Sequence, residues 1–331
     1  MSLTIRPANI TDVEAIAGLL VLDAEQRYAA NQTLWKMAPE PHAKVASTIT
    51  AAMQNEAPPF RQHWLIAESE GNVVGVTHTI LLPVPPIYAG EFGPPGLIME
   101  DCYVLDRAPS GTAKALLEAA EADLVAAGAK VLLGSSIAGG IWGDEFLAQS
   151  YEPLTLYFSK TGLSNAADHD DVQKASEDDI PAIVASSAVN RQVLFDLNDF
   201  WKPHPEADAR FGSWMTRSLT LTDRDMLISN SEGDPEGYSV SQPATPLHFP
   251  SAHDVVGTGF IDDYFHADFE NPTRLENQGH AARALLQASE SALEARGNDA
   301  ALIVCPAAWI SKIEVLQSEG YETEIVWFIK A

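Results

Sequence analysis

The chain has 331 residues, of which 46% are hydrophobic and 20% charged, a composition that excludes a disordered chain and supplies one large core or two ordinary ones. Forty-six acidic against twenty basic residues give a formal net charge of −26. Such a surface repels nucleic acid and anionic membrane and leaves a neutral or cationic small molecule as the easier partner, unless the acidity serves solubility alone. No apolar run approaches the roughly 20 residues that span a bilayer, and the first residues lack a secretory pattern. The two cysteines, Cys102 and Cys305, sit in apolar, strand-like segments without metal-ligand spacing. A reduced, cytoplasmic setting with no metal is expected.

In chain order, "LTIRPA" reads as a short strand and "TDVEAIAGLL" as a helix with Val13, Ile16, Leu19 and Leu20 on one face, Thr11 being its expected cap. An irregular helical stretch around Trp35 follows, and then "HWLIAESEGNVVGVTHTILL", two strands joined at a Ser-Glu-Gly-Asn turn. Prolines in "PVPPIYAGEFGPPG" forbid regular pairing, so this segment is expected to cross the surface and to rim a site. A strand ("LIMEDCYV"), a helix ("ALLEAAEADLVAAG", Ala115–Gly128), a strand ("KVLLGSS"), a further helix and a last strand ("LTLYFSK") complete the unit.

The same unit is then written again. "ALLQASESALEARG" at Ala284–Gly297 matches the helix at eight of fourteen positions. "LISNSEGDPEG" repeats "LIAESEGNVVG", "FWKPHPE" repeats "LWKMAPE", "DDYF" repeats "DCYV", and "VWFIK" repeats "LYFSK", all in one order and at offsets of 161 to 170 residues. That period is too long for a solenoid and indicates two domains of one fold. The expected boundaries are 1–163 and 171–331, with a polar linker at 164–170. Each unit reads β-α-α-β-β-β-α-β-α-β, a mixed α/β (α+β) class with a mostly antiparallel sheet and helices on both faces.

The turn into the repeated helix, "LDRAPSGTAKALL", gathers small residues at a helix start: Ser110, Gly111, Thr112 and Ala113, with Lys114 one residue inside. Unpaired amides and the positive end of the helix dipole make such a place a site for a diphosphate, and close packing of helix on strand is the plainer alternative. With this loop, the order of elements resembles the GCN5-related N-acetyltransferase family. The family's loop reads Gln/Arg-x-x-Gly-x-Gly/Ala; "APSGTAKALL" keeps Gly111 and Ala113 but has Ala108 in the first place. "QGHAARALL" keeps Gly279 and Ala281 with one extra residue before Ala-Leu-Leu. The resemblance implies acetyl-CoA in a gap between the fourth and fifth strands, beside Val104. Its diphosphate would lie on Ser110–Lys114, or on Gly279, His280 and Ala281 with Arg283 in the second unit. The first unit is the expected competent one, because its loop has no extra residue.

The resemblance also implies a carboxylate on the fourth strand as the base for an amine. Glu100 and Asp101 are the candidates in the first unit, and Asp262 and Asp263 in the second, with backbone capping or pairing to a lysine as the alternative. The family's tyrosine acid is missing, since Phe146 and Leu316 hold its place and Tyr151 and Tyr321 lie beyond the helix; water is then the proton source. Trp35, Glu40 and Trp201 fall where relatives form the acceptor rim. An aromatic beside a carboxylate suits an ammonium, although presence in both units equally fits an inherited structural contact. His63, His78 and His248 show no ligand spacing. Two functions are therefore carried forward: an acetyl-CoA-dependent N-acetyltransferase for a small amine acceptor with one catalytic and one structural unit, or a non-catalytic acyl-CoA-binding or scaffold protein. A monomer is expected, its two halves pairing within one chain.

Overall fold

In the computed structural model, which describes residues 3–85, 87–163, 169–231, 234–246 and 249–331, the first unit runs β1 (Leu3–Pro7), α1 (Val13–Ala30), α2 (Pro41–Gln54), β2 (Gln62–Ser69), β3 (Asn72–Leu81), β4 (Gly96–Ile98), β5 (Tyr103–Val104), α3 (Thr112–Ala126), β6 (Leu132–Ile137), α4 (Ile141–Ala148) and β7 (Glu152–Thr161). The second runs β8 (Val172–Lys174), α5 (Ile180–Leu197), α6 (Ala207–Ser218), β9 (Asp225–Ser231), β10 (Asp234–Pro243), β11 (Thr258–His266), α7 (His280–Ala295), β12 (Ala300–Pro306), α8 (Ile310–Ser318) and β13 (Glu322–Lys330). Most of the expected linker, and His248, lie outside the described residues.

Local chemistry explains most of these elements. The β2–β3 hairpin turns through Glu70 and Gly71, at φ +52° and +75°, the two left-handed residues that match the twist of paired strands. Along β2, Leu65 and Ala67 pack towards α3, and Trp64 and Ile66 towards α1 and α2, as the two-residue period of a strand requires. The repeated helix buries Leu116, Leu117, Ala120 and Leu124 in α3, and Leu285, Leu286 and Leu293 in α7. Two local expectations are corrected. The cap ahead of α1 is Asn9, not Thr11: Thr11 donates its amide to the Asn9 side chain at 2.9 Å, and Asn9 in turn donates its own backbone amide to the Asp12 carboxylate at 2.8 Å. "LIMEDCYV" is not one strand either. It breaks at residues 99–102, where the Cys102 thiol donates to the Met99 carbonyl at 3.0 Å.

The strands form one sheet in the order β1-β2-β3-β4-β6-β13-β7-β12-β11-β10-β9-β8, with β5 also on β3. The last strands are exchanged. β13, from the second unit, pairs β6 of the first, while β7, from the first, pairs β12 of the second, and the two exchanged strands pair each other. Two repeated ion pairs lock this arrangement. Lys160 on β7 reaches Glu290 on α7 at 2.7 Å, and Lys330 on β13 reaches Glu121 on α3 at 2.9 Å. Each ammonium also lies over a ring, Lys160 over Tyr321 and Lys330 over Tyr151, at 5.6 and 5.3 Å. The conserved glutamate of the written-twice helix is thus the partner of the other unit's last strand.

Among the described residues two neighbouring pairs are parallel, and both are short. β4 pairs β6 from Gly96/Leu132 to Ile98/Gly134, and β11 pairs β12 from Thr258/Ala300 to Ile261/Ile303. Beyond those residues the strands part, leaving one gap in each unit, next to Glu100–Cys102 and next to Asp262–Tyr264.

The two ion pairs differ in burial, with Glu290 fully buried and the Lys330 and Glu121 side chains 30% and 17% exposed. Removing one partner of a buried pair costs about 3–5 kcal/mol, and of a more exposed pair about 1 kcal/mol or less. Glu290→Ala is therefore expected to lower the stability of the full chain several times more than Glu121→Ala, as read from denaturant midpoints. Equal losses would contradict the assignment of Lys160–Glu290 as the dominant clasp.

Candidate active site

Gly111 starts α3 in the left-handed conformation, φ +82°, where a side chain is strained. Thr112 is satisfied locally, with both its amide and its hydroxyl donating to the Pro109 carbonyl at 3.2 and 2.6 Å. The amides of Gly111, Ala113 and Lys114 find no acceptor among the described residues. Ser110, Gly111 and Lys114 are exposed, and Lys114 makes only a loose 3.8 Å contact with Glu118. This is an open cradle of donors at a helix start, suited to a diphosphate. Val104 lies on its β5 approach, paired with Gly75.

Glu100 and Asp101, in the break between β4 and β5, are held by different partners. Glu100 is 7% exposed, and its burial pushes the carboxyl towards the protonated form, with the nearby Arg27 pulling the other way. Arg27 is itself buried; it donates to the Glu100 carbonyl at 2.5 Å and to Asp23 at 2.6 Å, and lies over the Trp35 ring. Asp101 bonds His78 at 2.9 Å, whose ring stacks on Trp64 at 4.3 Å. Periodicity offered no sign of this histidine's partner. Across the gap, Trp142 of α4 donates its indole N–H to the Cys102 carbonyl at 3.1 Å.

At α7 the helix start is already occupied. Gly279 is left-handed like Gly111, but the Asp268 carboxylate accepts the amides of Ala281 and Ala282, both at 3.1 Å, and the Asn277 side-chain amide at 3.1 Å. Arg283 is spent on Ser318, on the Gln278 carbonyl and, at 3.5 Å, on Glu319. His280 points to an exposed position. An internal carboxylate therefore stands where an external anion would bind, a role no motif in the sequence signalled.

The gap of the second unit opens instead into a cavity of about 320 Å³ lined by Asp262, Asp263, Trp201, Trp214, Trp309 and Tyr88. Adjacent strand residues normally face opposite ways. Here the β10–β11 register slips between Tyr238 and Val240, and Asp263 takes φ +49°, so both carboxylates reach one space. Asp262 accepts the Gln242 amide at 3.1 Å and the Asp263 backbone amide at 3.0 Å. Burial, then the neighbouring Asp262, pushes the Asp263 carboxyl up to about 8.

No protein-family model matches the chain, and no curated protein matches it in sequence. Solved structures do match in shape. A GCN5-related N-acetyltransferase from Sphaerobacter thermophilus superposes with a TM-score of 0.57 over 99% of this chain and 95% of its own, at 13% identity. A GNAT-family acetyltransferase from Colwellia psychrerythraea gives 0.50 over 99% and 100%, at 10% identity. The chain has the GCN5-related N-acetyltransferase fold in tandem. A tandem GNAT protein from the clavulanic acid biosynthesis pathway is also similar, with a TM-score of 0.48 over 99% and 98% and 14% identity.

Within this tandem GNAT fold the repeated Trp-Lys pairs sit between the units. Trp35 is 1% exposed, packs on Phe249 and His253, and donates its indole N–H to Glu324 of β13. Lys36 bonds Asp299 at 2.7 Å. Reciprocally, Lys202 bonds Glu91 at 2.7 Å, and its carbonyl accepts the Ala89 amide from the first unit's proline-rich loop at 2.8 Å. Trp201 faces the cavity, whereas Glu40 is exposed ahead of α2 and joins neither tryptophan. Phe146 and Leu316 are fully buried; Tyr151 and Tyr321 are buried beneath the two lysines. Among the described residues no three metal-ligating side chains gather, and no helix is long and apolar enough to cross a membrane.

Two buried groups set opposite pH slopes. His253, with its Nδ1 toward the Trp35 carbonyl at 3.2 Å, is pushed from 6.5 down to about 4, chiefly by burial, so its stabilising neutral form is lost as pH falls through that range. Asp263, raised from 3.8 to about 8, binds its proton more tightly when folded, so stability falls as pH rises between those values. Above 6.5 only the second slope remains of the two. The thermal midpoint is expected to drop between pH 6.5 and 8, and Asp263→Asn to flatten that drop; an unchanged slope in the variant would contradict the assignment.

Proposed function

We propose that the chain is an acetyl-CoA-dependent N-acetyltransferase for a small amine, with the coenzyme held by its first unit and the second unit kept mainly for architecture. The observation that carries this reading is the contrast between the two helix starts. The α3 amides of Gly111, Ala113 and Lys114 are free, and those of α7 are taken by Asp268. Free amides in an αL-initiated turn fit a diphosphate, and Lys114 adds a charge beside them. Local donors of this kind suffice against a net charge of −26, because screening confines the general field to about one Debye length.

The bound coenzyme would supply an acyl thioester. Glu100, buried and held towards its protonated form, is the group positioned to exchange a proton with an incoming amine. Asp101, fixed by His78, is the second carboxylate of that strand. With Phe146 where relatives carry a tyrosine, water protonates the departing thiolate. The protein is read as a cytoplasmic monomer, since the exchanged strands already provide within one chain the contact that relatives could make between copies.

Trp142 favours a second reading. Its indole bridges the gap where a pantetheine arm would enter, which suits an acyl-CoA-binding or scaffold protein without turnover. Calorimetry and thiol release separate the two. Wild type should bind one equivalent of acetyl-CoA and release thiol with some member of an amine panel. Gly111→Arg, whose side chain starts in open space, should retain its circular dichroism and lose at least about tenfold in affinity, or ~1.4 kcal/mol. Unchanged affinity removes the first-unit assignment, and binding without thiol release selects the second reading.

A further inference from the structure

We propose that Lys312 of the second unit captures a small, uncharged aliphatic aldehyde as an imine, inside the cavity that this lysine lines together with Asp263. The space, about 320 Å³, is at the small end of ligand pockets, which start near 300 Å³. Its walls include Trp201, Trp214, Trp309 and Tyr88, aromatic surfaces that favour an apolar tail. Tyr88 and Ile87 come from the first unit's proline-rich loop, so a guest here is clasped by both units.

The place of the lysine carries the inference. Lys312 and Trp142 stand at corresponding positions of the two units, each nine residues ahead of the tyrosine that follows its helix, Tyr321 or Tyr151. Each crosses its gap to a backbone carbonyl, Trp142 to Cys102 at 3.1 Å and Lys312 to Tyr264 at 2.7 Å. An inert indole is enough to make that bridge, yet the second unit makes it with a nucleophile. Lys312 is 5% exposed, and its side chain has no ion pair among the described residues. Its other neighbours include the rings of Tyr264, Phe269 and Trp309. Burial pushes it towards the neutral amine, against the pull of Cys305 and the two aspartates. A neutral, desolvated amine is the form that attacks a carbonyl.

The step balances within the cavity. The Lys312 nitrogen lone pair forms the C–N bond, and one amine proton passes to the carbonyl oxygen to give a carbinolamine. Asp263, pushed up to about 8 by burial and then by Asp262, holds the proton that the departing hydroxyl needs. The C–O bond breaks, water leaves, and the iminium remains with the Asp263 carboxylate as its counter-ion. Asp262 and the net charge of −26 disfavour a carbonyl compound that carries its own carboxylate, which leaves the uncharged aldehyde. Asp268 holds the α7 amides and keeps a coenzyme diphosphate, with its acylating thioester, from this gap. The inference does not depend on the first-unit reading and is tested apart from it.

The experiment treats the full chain with one equivalent of butanal near neutral pH, without any thioester. Sodium cyanoborohydride reduces the imine, and peptide mass spectrometry places the butyl group. Wild type should carry it on Lys312, formed at least about tenfold faster than on any other lysine. Lys312→Arg, which keeps a donor for the Tyr264 carbonyl, should lose this fast phase with its circular dichroism unchanged. Asp263→Asn, which keeps the nucleophile and serves as the second variant, should slow capture by at least about tenfold. Gly111→Arg should capture butanal like wild type, so failure at Lys312 is separable from failure of the first-unit reading. Butyl groups on exposed lysines alone, a fast phase that survives in Lys312→Arg, or an unchanged rate in Asp263→Asn would each overturn the proposal.

Discussion

The exchange of the last strands is the constraint on which the rest of this molecule depends. A strand in the middle of a sheet needs a partner on each edge, and β7 and β13 find theirs in β12 and β6 of the opposite units and in each other. Neither unit therefore closes its own sheet. The gap between β4 and β6 has β13 of the second unit behind β6, and the gap between β11 and β12 has β7 of the first unit behind β12. Lys160–Glu290 and Lys330–Glu121 tie this exchange together with charge, and a tyrosine ring lies beneath each lysine. At the centre, Tyr157 of β7 and Trp327 of β13 meet at 5.7 Å.

That arrangement explains which repeats persisted and which decayed. In a fused pair each copy is encoded separately, yet residues at the contact between the units meet the same partner chemistry from either side. Trp-Lys, the helix glutamate and the last-strand lysine all lie there, and all are present in both units. The helix starts are not shared in this way and have taken opposite electrostatic states: bare amides at α3 and an internal carboxylate at α7. The carboxylate sites differ likewise. In the first unit the buried Arg27 donates to the Glu100 carbonyl and lies over Trp35; in the second, Leu194 lines the cavity from the helix corresponding to that of Arg27.

The sequence made the element order, the duplication and the hairpins legible, because those rest on local periodicity and turn chemistry. "SEGN" foretells two left-handed residues, and the stripe of Leu116, Leu117, Ala120 and Leu124 foretells a helix on a sheet. The strand exchange was not legible. "LYFSK" and "VWFIK" have the same pattern whichever partner they meet, and nothing in a strand names its neighbour. The candidate site was read only in part for similar reasons. The Asp268 cap depends on a carboxylate reaching amides thirteen residues away. The convergence of Asp262 and Asp263 depends on a bulge that breaks the two-residue rule. The tryptophans expected at a rim proved to be one buried contact and one cavity wall.

Burial rather than net charge decides the chemistry at both gaps. A carboxylate on the −26 surface is solvated and ordinary, whereas Glu100 and Asp263 sit where water is scarce and hold protons that surface carboxylates release. Tyr157 feels Glu100 and Asp262 together, and burial with both of them raises its own hydroxyl. The two acidic centres thus face a common strand of the exchanged pair. Each centre acts on that tyrosine through an interior that screens charge poorly, so the exchanged strand is where the two units' acidic sites have a neighbour in common.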